Sequence, residues 1–172
     1  LSGADDDYVR CGKKNILKAI ATAKHLVKKD AHPAAKVAGV INPYMGCTEV
    51  EGASGLEHED IRGSVFAVMG DAYRREGNLE LAVKWYRRAS QISAGDHVPI
   101  YAHLVCKHQL SEFYDDVLTI LRDHQRRWEQ KPAHVRFFVR LGMWLSREGR
   151  ELLRGKRQNL EFLQQHTLPK AA

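Results

Sequence analysis

The chain has 172 residues, 44% of them hydrophobic and 28% charged, with a formal net charge of +6 at pH 7. This length holds one domain with a buried core or a short array of stacked units, and no apolar run approaches the roughly 18 residues of a membrane span. Three cysteines, Cys11, Cys47 and Cys106, stand at long spacings without a CxxC pair, which argues against a disulfide framework and leads us to expect idle thiols in a reducing, cytoplasmic setting.

Taken in chain order, residues 1–11 read as a flexible, acidic lead-in, "LSGADDD" at its start. From Gly12 to Lys28, Ile16, Ile20, Ala23 and Val27 recur at helical spacing with lysines opposite, so an amphipathic helix is predicted, ended by His32-Pro33. The apolar piece "AAKVAGVI" adds a turn or two before Asn42-Pro43, and "YMGCTEVEGASG" reads as a loop or linker. Residues 12–56 are thus expected to be a packing helix and a linker. Beyond them the pattern is helical over about 57–76, 79–94, 98–109, 112–129, 133–148 and 150–166. Gly77 is suited to closing a helix in the left-handed conformation, Asn78 and Ser111 to capping the next one, and Pro132 to starting one. No alternating β-rich segment occurs, so the prediction is all-α, with sequential helices antiparallel in hairpins over 57–94, 98–129 and 133–166.

The stretch "FAVMGDAYRREGNLELAVKWYRRAS" carries its small and aromatic residues at regular helical spacing. Gly70 and Ala82 permit two helices to approach closely, and Phe66, Tyr73 and Tyr86 fill the volume around that contact. One hairpin cannot bury both sides of such a surface. The order Phe66, Met69, Gly70, Tyr73, then Ala82 and Tyr86, resembles the tetratricopeptide repeat, Trp-x2-Leu-Gly-x2-Tyr followed by Ala-x3-Phe, with Ala94 where the family has Pro. The offsets recur as Phe138, Leu141, Gly142, Leu145 and Gly149, and more loosely as Tyr101, Leu104, His108 and Val117 with Val105 at the glycine position. Arg154 and Gly155 depart from the pattern in the last helix.

The resemblance implies a short right-handed α-solenoid that binds proteins or peptides on the concave side formed by the first helix of each hairpin. The positions it places there are Asp71, Arg74 and Arg75, then His103 and Cys106, then Arg136, Arg140, Met143 and Arg147. A subset of the family grips chaperone C-termini through Lys and Asn; Ala67 and Asp71 stand at those places here, so that clamp is not evident.

The charge is unevenly distributed: residues 1–121 hold 15 Lys/Arg against 16 Asp/Glu, whereas residues 122–157 hold 11 against 4. Such a basic region selects acidic partners or nucleic acid unless it is merely a solvated face. His103 and Cys106 are too few for a zinc site. The acidic residues Glu49, Glu51, Glu57, Glu59 and Asp60 lack the oxygen spacing of a calcium loop and read as solvated linker. Trp85, Trp128 and Trp144 read as packing aromatics, and no P-loop, GxSxG or strand-borne GxGxxG occurs. The expectation is therefore a non-enzymatic scaffold or adaptor without a cofactor or metal. Its partner would be another protein or peptide of acidic character, with no membrane and with self-association open. A helical-repeat nucleic-acid binder using residues 122–157 is the alternative.

Overall fold

The computed structural model describes residues 11–93, 95, 97–130, 132–134, 136–137 and 147–167. Among these the secondary structure is helical, with one 3-10 turn and an isolated parallel bridge between Gly12 and Glu51. Contacts within the chain cluster into two units, Leu1–Ser93 and Ala94–Ala172.

The first unit contains α1 (Lys13–Lys29), α2 (Ala34–Met45), α3 (Gly55–Arg75) and α4 (Leu79–Ile92). Ile16, Ala19, Ile20 and Ala23 form the buried stripe of α1, and they meet Ala34, Val37 and Ile41 of α2 and Ile61, Val65, Val68, Met69 and Ala72 of α3 in one core. The region expected to hold one packing helix and a linker therefore contains a helical hairpin. α2 is 12 residues long and carries Pro43 inside it. Pro43 sits in the last turn, where it lacks the N–H that would bond back to the Gly39 carbonyl, and the helix ends within a turn of it. The start of α2 is capped from a distance: the Ala34 N–H donates to Glu76 Oε1 at 2.7 Å, tying it to the end of α3.

The loop between α2 and α3 corrects two expectations. Cys11 and Cys47 are joined in a disulfide, with Cα atoms 5.9 Å apart, because α1 and α2 are antiparallel and bring the start of one beside the end of the other. The sequence separation of 36 concealed this proximity. The loop is also not a solvated linker: Cys47 and Val50 are buried, Glu51 exchanges backbone hydrogen bonds with Cys11 and Lys13 at 2.9 Å each, and the Val50 N–H donates to His58 Nδ1 at 3.0 Å. Glu49 and Glu51 themselves are exposed.

α3 ends as expected. Gly77 adopts φ +78°, and the Asn78 and Gly77 N–H groups donate back to the Tyr73 and Arg74 carbonyls, the paired bonds of a Schellman turn. Asn78 Oδ1 then accepts from the Leu81 N–H at 3.2 Å and caps α4.

The second unit contains α5 (His97–Lys107), a 3-10 turn (Ser111–Phe113), α6 (Tyr114–Glu129) and α7 (Arg147–Thr167). Its core includes Val98, Tyr101, Ala102, Leu104, Val105, Tyr114, Val117, Leu118, Leu121 and Leu163. α5 closes a turn earlier than the repeat spacing predicts. Gln109 takes the left-handed place with φ +53°, and Leu110 and Gln109 bond back to Val105 and Cys106. His108 consequently falls outside the helix and is exposed, instead of packing where Tyr73 does. Ser111 opens the 3-10 turn and makes no side-chain cap to it. The Pro132 carbonyl accepts from the Arg136 N–H at 3.1 Å, so a helical turn follows Pro132 as expected. α7 runs through Gly149 and Gly155 without interruption, although the spacing predicted a helix boundary at Gly149. The lead-in up to residue 10, and Phe138, Leu141, Gly142, Trp144 and Leu145, lie outside the described residues.

The clasp at the start of α1 leads to a stability prediction. Closing a loop of this separation restricts the unfolded chain by on the order of 3–4 kcal/mol. Replacing Cys11 and Cys47 together by Ser should lower the urea midpoint, and a thiol reductant should lower the wild-type midpoint toward that of the variant while leaving the variant unchanged.

Candidate interaction surfaces

The close approach of α3 and α4 sets what the adjoining surface offers. A Cβ placed on Gly70 would lie 2.9 Å from ring atoms of Tyr86, and Ala82, Tyr86 and Ala89 are wholly buried. The Tyr86 hydroxyl emerges at the edge of the contact and donates to Asp71 Oδ1 at 2.5 Å. The same oxygen faces Arg74 Nη2 at 3.5 Å. Burial first, then the Asp71 charge and hydrogen bond, push the Tyr86 phenol well above its usual range. Phe66 is stacked near-parallel with Trp85 at 6.0 Å and lies under the Arg88 guanidinium at 4.5 Å, so Trp85 is a packing residue as expected.

Of the residues predicted to face a partner, Asp71, Arg74 and Arg75 share the last turns of α3. Asp71 is turned to an internal role by Tyr86, whereas Arg74 and Arg75 are exposed. His103 is exposed on α5. Cys106 does not line an open surface: it is buried, its thiol lies 3.8 Å from the Asn159 carbonyl, and burial pushes its pKa to about 11. Arg136 is half-buried, and its Nε has no hydrogen-bond partner. Arg147 opens α7. Arg140 and Met143 lie outside the described residues, as does the side chain of Arg147. Among the described residues no group of three or more His, Cys, Asp or Glu is placed to hold a metal ion, and no helix is long and apolar enough to cross a membrane.

Two surface features escaped the sequence reading. Between α1 and α3 runs an open cleft of about 400 Å³ lined by Leu17, Ile20, Lys24, Glu57, Asp60, Ile61 and Ser64. Leu17 is 43% exposed and Leu56 61% exposed. The second is the outer face of α1, which carries Lys13, Lys14, Lys18, Lys24, Lys28 and Lys29 and no acidic residue. Lys13 pairs with Glu57 at 2.5 Å. The other five side chains form no ion pair or hydrogen bond with a described residue. In 122–157, by contrast, Arg126 is paired with Asp123 and Arg157 with Glu161. The count over residues 1–121 hid the lysine face because the balancing acids sit on other elements.

Comparison of the chain with protein-family models, with curated proteins and with solved structures finds no match.

The Tyr86–Asp71 bond predicts a pH dependence. Above about pH 10 the unfolded chain releases the phenol proton and the folded chain retains it. The folded state then binds more protons, so stability falls as pH rises, by up to about 1.4 kcal/mol per pH unit from this group. Tyr86→Phe should be less stable than wild type at neutral pH by about 1 kcal/mol, and denaturant titrations should show that gap narrowing above pH 10.

Proposed function

We propose that the chain is a non-enzymatic protein-interaction module, a tetratricopeptide-like scaffold that binds a peptide segment or partner subunit of acidic character on its helical surface. The observation that carries this reading is the way a third helix is received. In the first unit α3 packs against both α1 and α2; in the second, α7 packs against both α5 and α6. A helical hairpin that accepts a further helix across both its members is the building step of a repeat scaffold, and in the second unit that helix comes after the helical turn that follows Pro132. The short right-handed α-solenoid expected from the resemblance is part of this proposal. Gly70, Ala82 and Tyr86 support it in the residues that carry the resemblance, and the exposed Arg75 supplies a bidentate donor for carboxylates beside Arg74, which shares its charge with Asp71.

Nucleic-acid binding through residues 122–157 gains less support, since Arg126 and Arg157 are already neutralised within their own helices. The cytoplasmic setting expected from the cysteine spacing now carries a condition: a closed Cys11–Cys47 bond fits an oxidising compartment, and in a reducing one the clasp would be open.

The reading is tested by affinity capture from extract, with and without nuclease. Wild-type chain should retain stoichiometric protein partners after nuclease treatment, and the Arg74→Glu/Arg75→Glu variant, with unchanged helicity, should lose them. Recovery of the same partners by the variant, or of nucleic acid alone by the wild type, would overturn the proposal.

A further inference from the structure

α1 presents an electrostatic arrangement that folding rewards only in part: Lys28 and Lys29 complement the helix dipole in its last turn, whereas the lysines before them gain nothing from it. Its inner stripe of Ile16, Ala19, Ile20 and Ala23 is committed to the core. On the outer side Lys14, Lys18, Lys24, Lys28 and Lys29 are exposed, and they span an arc of roughly 140° at helical periodicity. Lys14 and Lys18 stand four residues apart, as do Lys24 and Lys28, and like charges at that spacing destabilise a helix. Elsewhere five described surface cations are paired with acids, Lys36 with Asp30, Lys84 with Glu80, Arg74 with Asp71, Arg126 with Asp123 and Arg157 with Glu161, and the described exposed cations outside such pairs do not form a row as those of α1 do. Lys24 lines the cleft that also holds Glu57 and Asp60. The remaining row, Lys14, Lys18, Lys28 and Lys29 with exposed His25 between, turns away from those acids toward solvent.

We propose that this outer face of α1 is a sequence-independent binding surface for the phosphate backbone of duplex nucleic acid, a site separate from the peptide surface proposed above. Three features choose this partner. The apolar side of α1 is buried and Leu17, 43% exposed, stands alone among the lysines, so the helix lacks the continuous apolar face by which a basic amphipathic helix settles into a lipid interface. The exposed face carries His25 as its one ring and no Phe, Tyr or Trp platform on which successive single-stranded bases could stack. Lysine ammonium groups act as point charges suited to phosphate, and α1, about 25 Å long, lies alongside many phosphates of a duplex that carries one charge per roughly 1.7 Å.

The test is fluorescence anisotropy of the full chain with a labelled duplex DNA of roughly 20 base pairs, from low to moderate salt. Binding should weaken with salt with a log–log slope of about −4, since each phosphate contact contributes about −0.9. The quadruple variant Lys14→Gln/Lys18→Gln/Lys28→Gln/Lys29→Gln should bind at least about tenfold more weakly, with a slope near zero. The matching Lys→Arg variant should bind as wild type does, which separates lost charge from lost fold, and far-UV circular dichroism should be alike in all three. No duplex binding at roughly 50 mM salt, binding undiminished in the Gln variant, or equal or tighter binding to polyglutamate or to phosphatidylserine vesicles at matched ionic strength would overturn the proposal.

Discussion

The contact between Gly70 and the ring of Tyr86 fixes the geometry from which the first unit is built. With no side chain at Gly70, α3 and α4 come close enough for the Tyr86 ring to lie against backbone. Burial of the ring carries its hydroxyl to Asp71, and Phe66 and Trp85 pack together on the same pair of helices. The opposite side of α3, from Ile61 to Ala72, is then free to cover α1 and α2. Glu76 at the end of α3 reaches back to cap α2, so one helix organises both hairpins. The second unit repeats the polar part of this device in reverse, with Tyr101 on its first helix donating to Asp116 on its second at 2.9 Å.

Electrostatics divides the first unit differently from the way it divides the sequence. Over residues 1–121 cations and anions nearly cancel, which reads as an uncharged stretch. Folding places five lysines without described partners on the outer face of α1, while Glu49, Glu51, Glu57, Glu59 and Asp60 gather on the loop after α2 and the start of α3. The region 122–157, where the sequence concentrates its positive charge, spends part of that charge on ion pairs within helices. Net charge of a segment is therefore a poor guide to the field a partner meets; placement on a face decides it.

Much of the helical framework was legible because local signals agreed with tertiary ones. Gly77, Asn78 and the apolar stripes of α1, α3 and α4 each point to the same boundaries. Legibility failed where geometry depends on distant residues. The Cys11–Cys47 bond requires knowing that α2 exists and returns beside α1, and α2 was obscured by Pro43. Cys106 lies on a helix whose register looks open until α7 covers it. His108 failed for a local reason, because α5 stops early at Gln109, a residue whose left-handed conformation is disfavoured without a glycine. Asp71 was expected to face a partner, whereas it holds the Tyr86 hydroxyl, a bond that spans 15 residues and has no sequence signature.

The central claim, that close approach at Gly70 organises the hairpin, is most directly tested by the unfolding free energy of Gly70→Ala in wild-type and Tyr86→Ala backgrounds. Alanine favours a helix over glycine by about 0.8–1.0 kcal/mol, yet the added methyl meets a buried ring held in place by Asp71. The account predicts a net loss of about 1–3 kcal/mol in the wild-type background and a neutral or stabilising effect once the ring is removed. Equal or greater stability of Gly70→Ala with Tyr86 intact would contradict it.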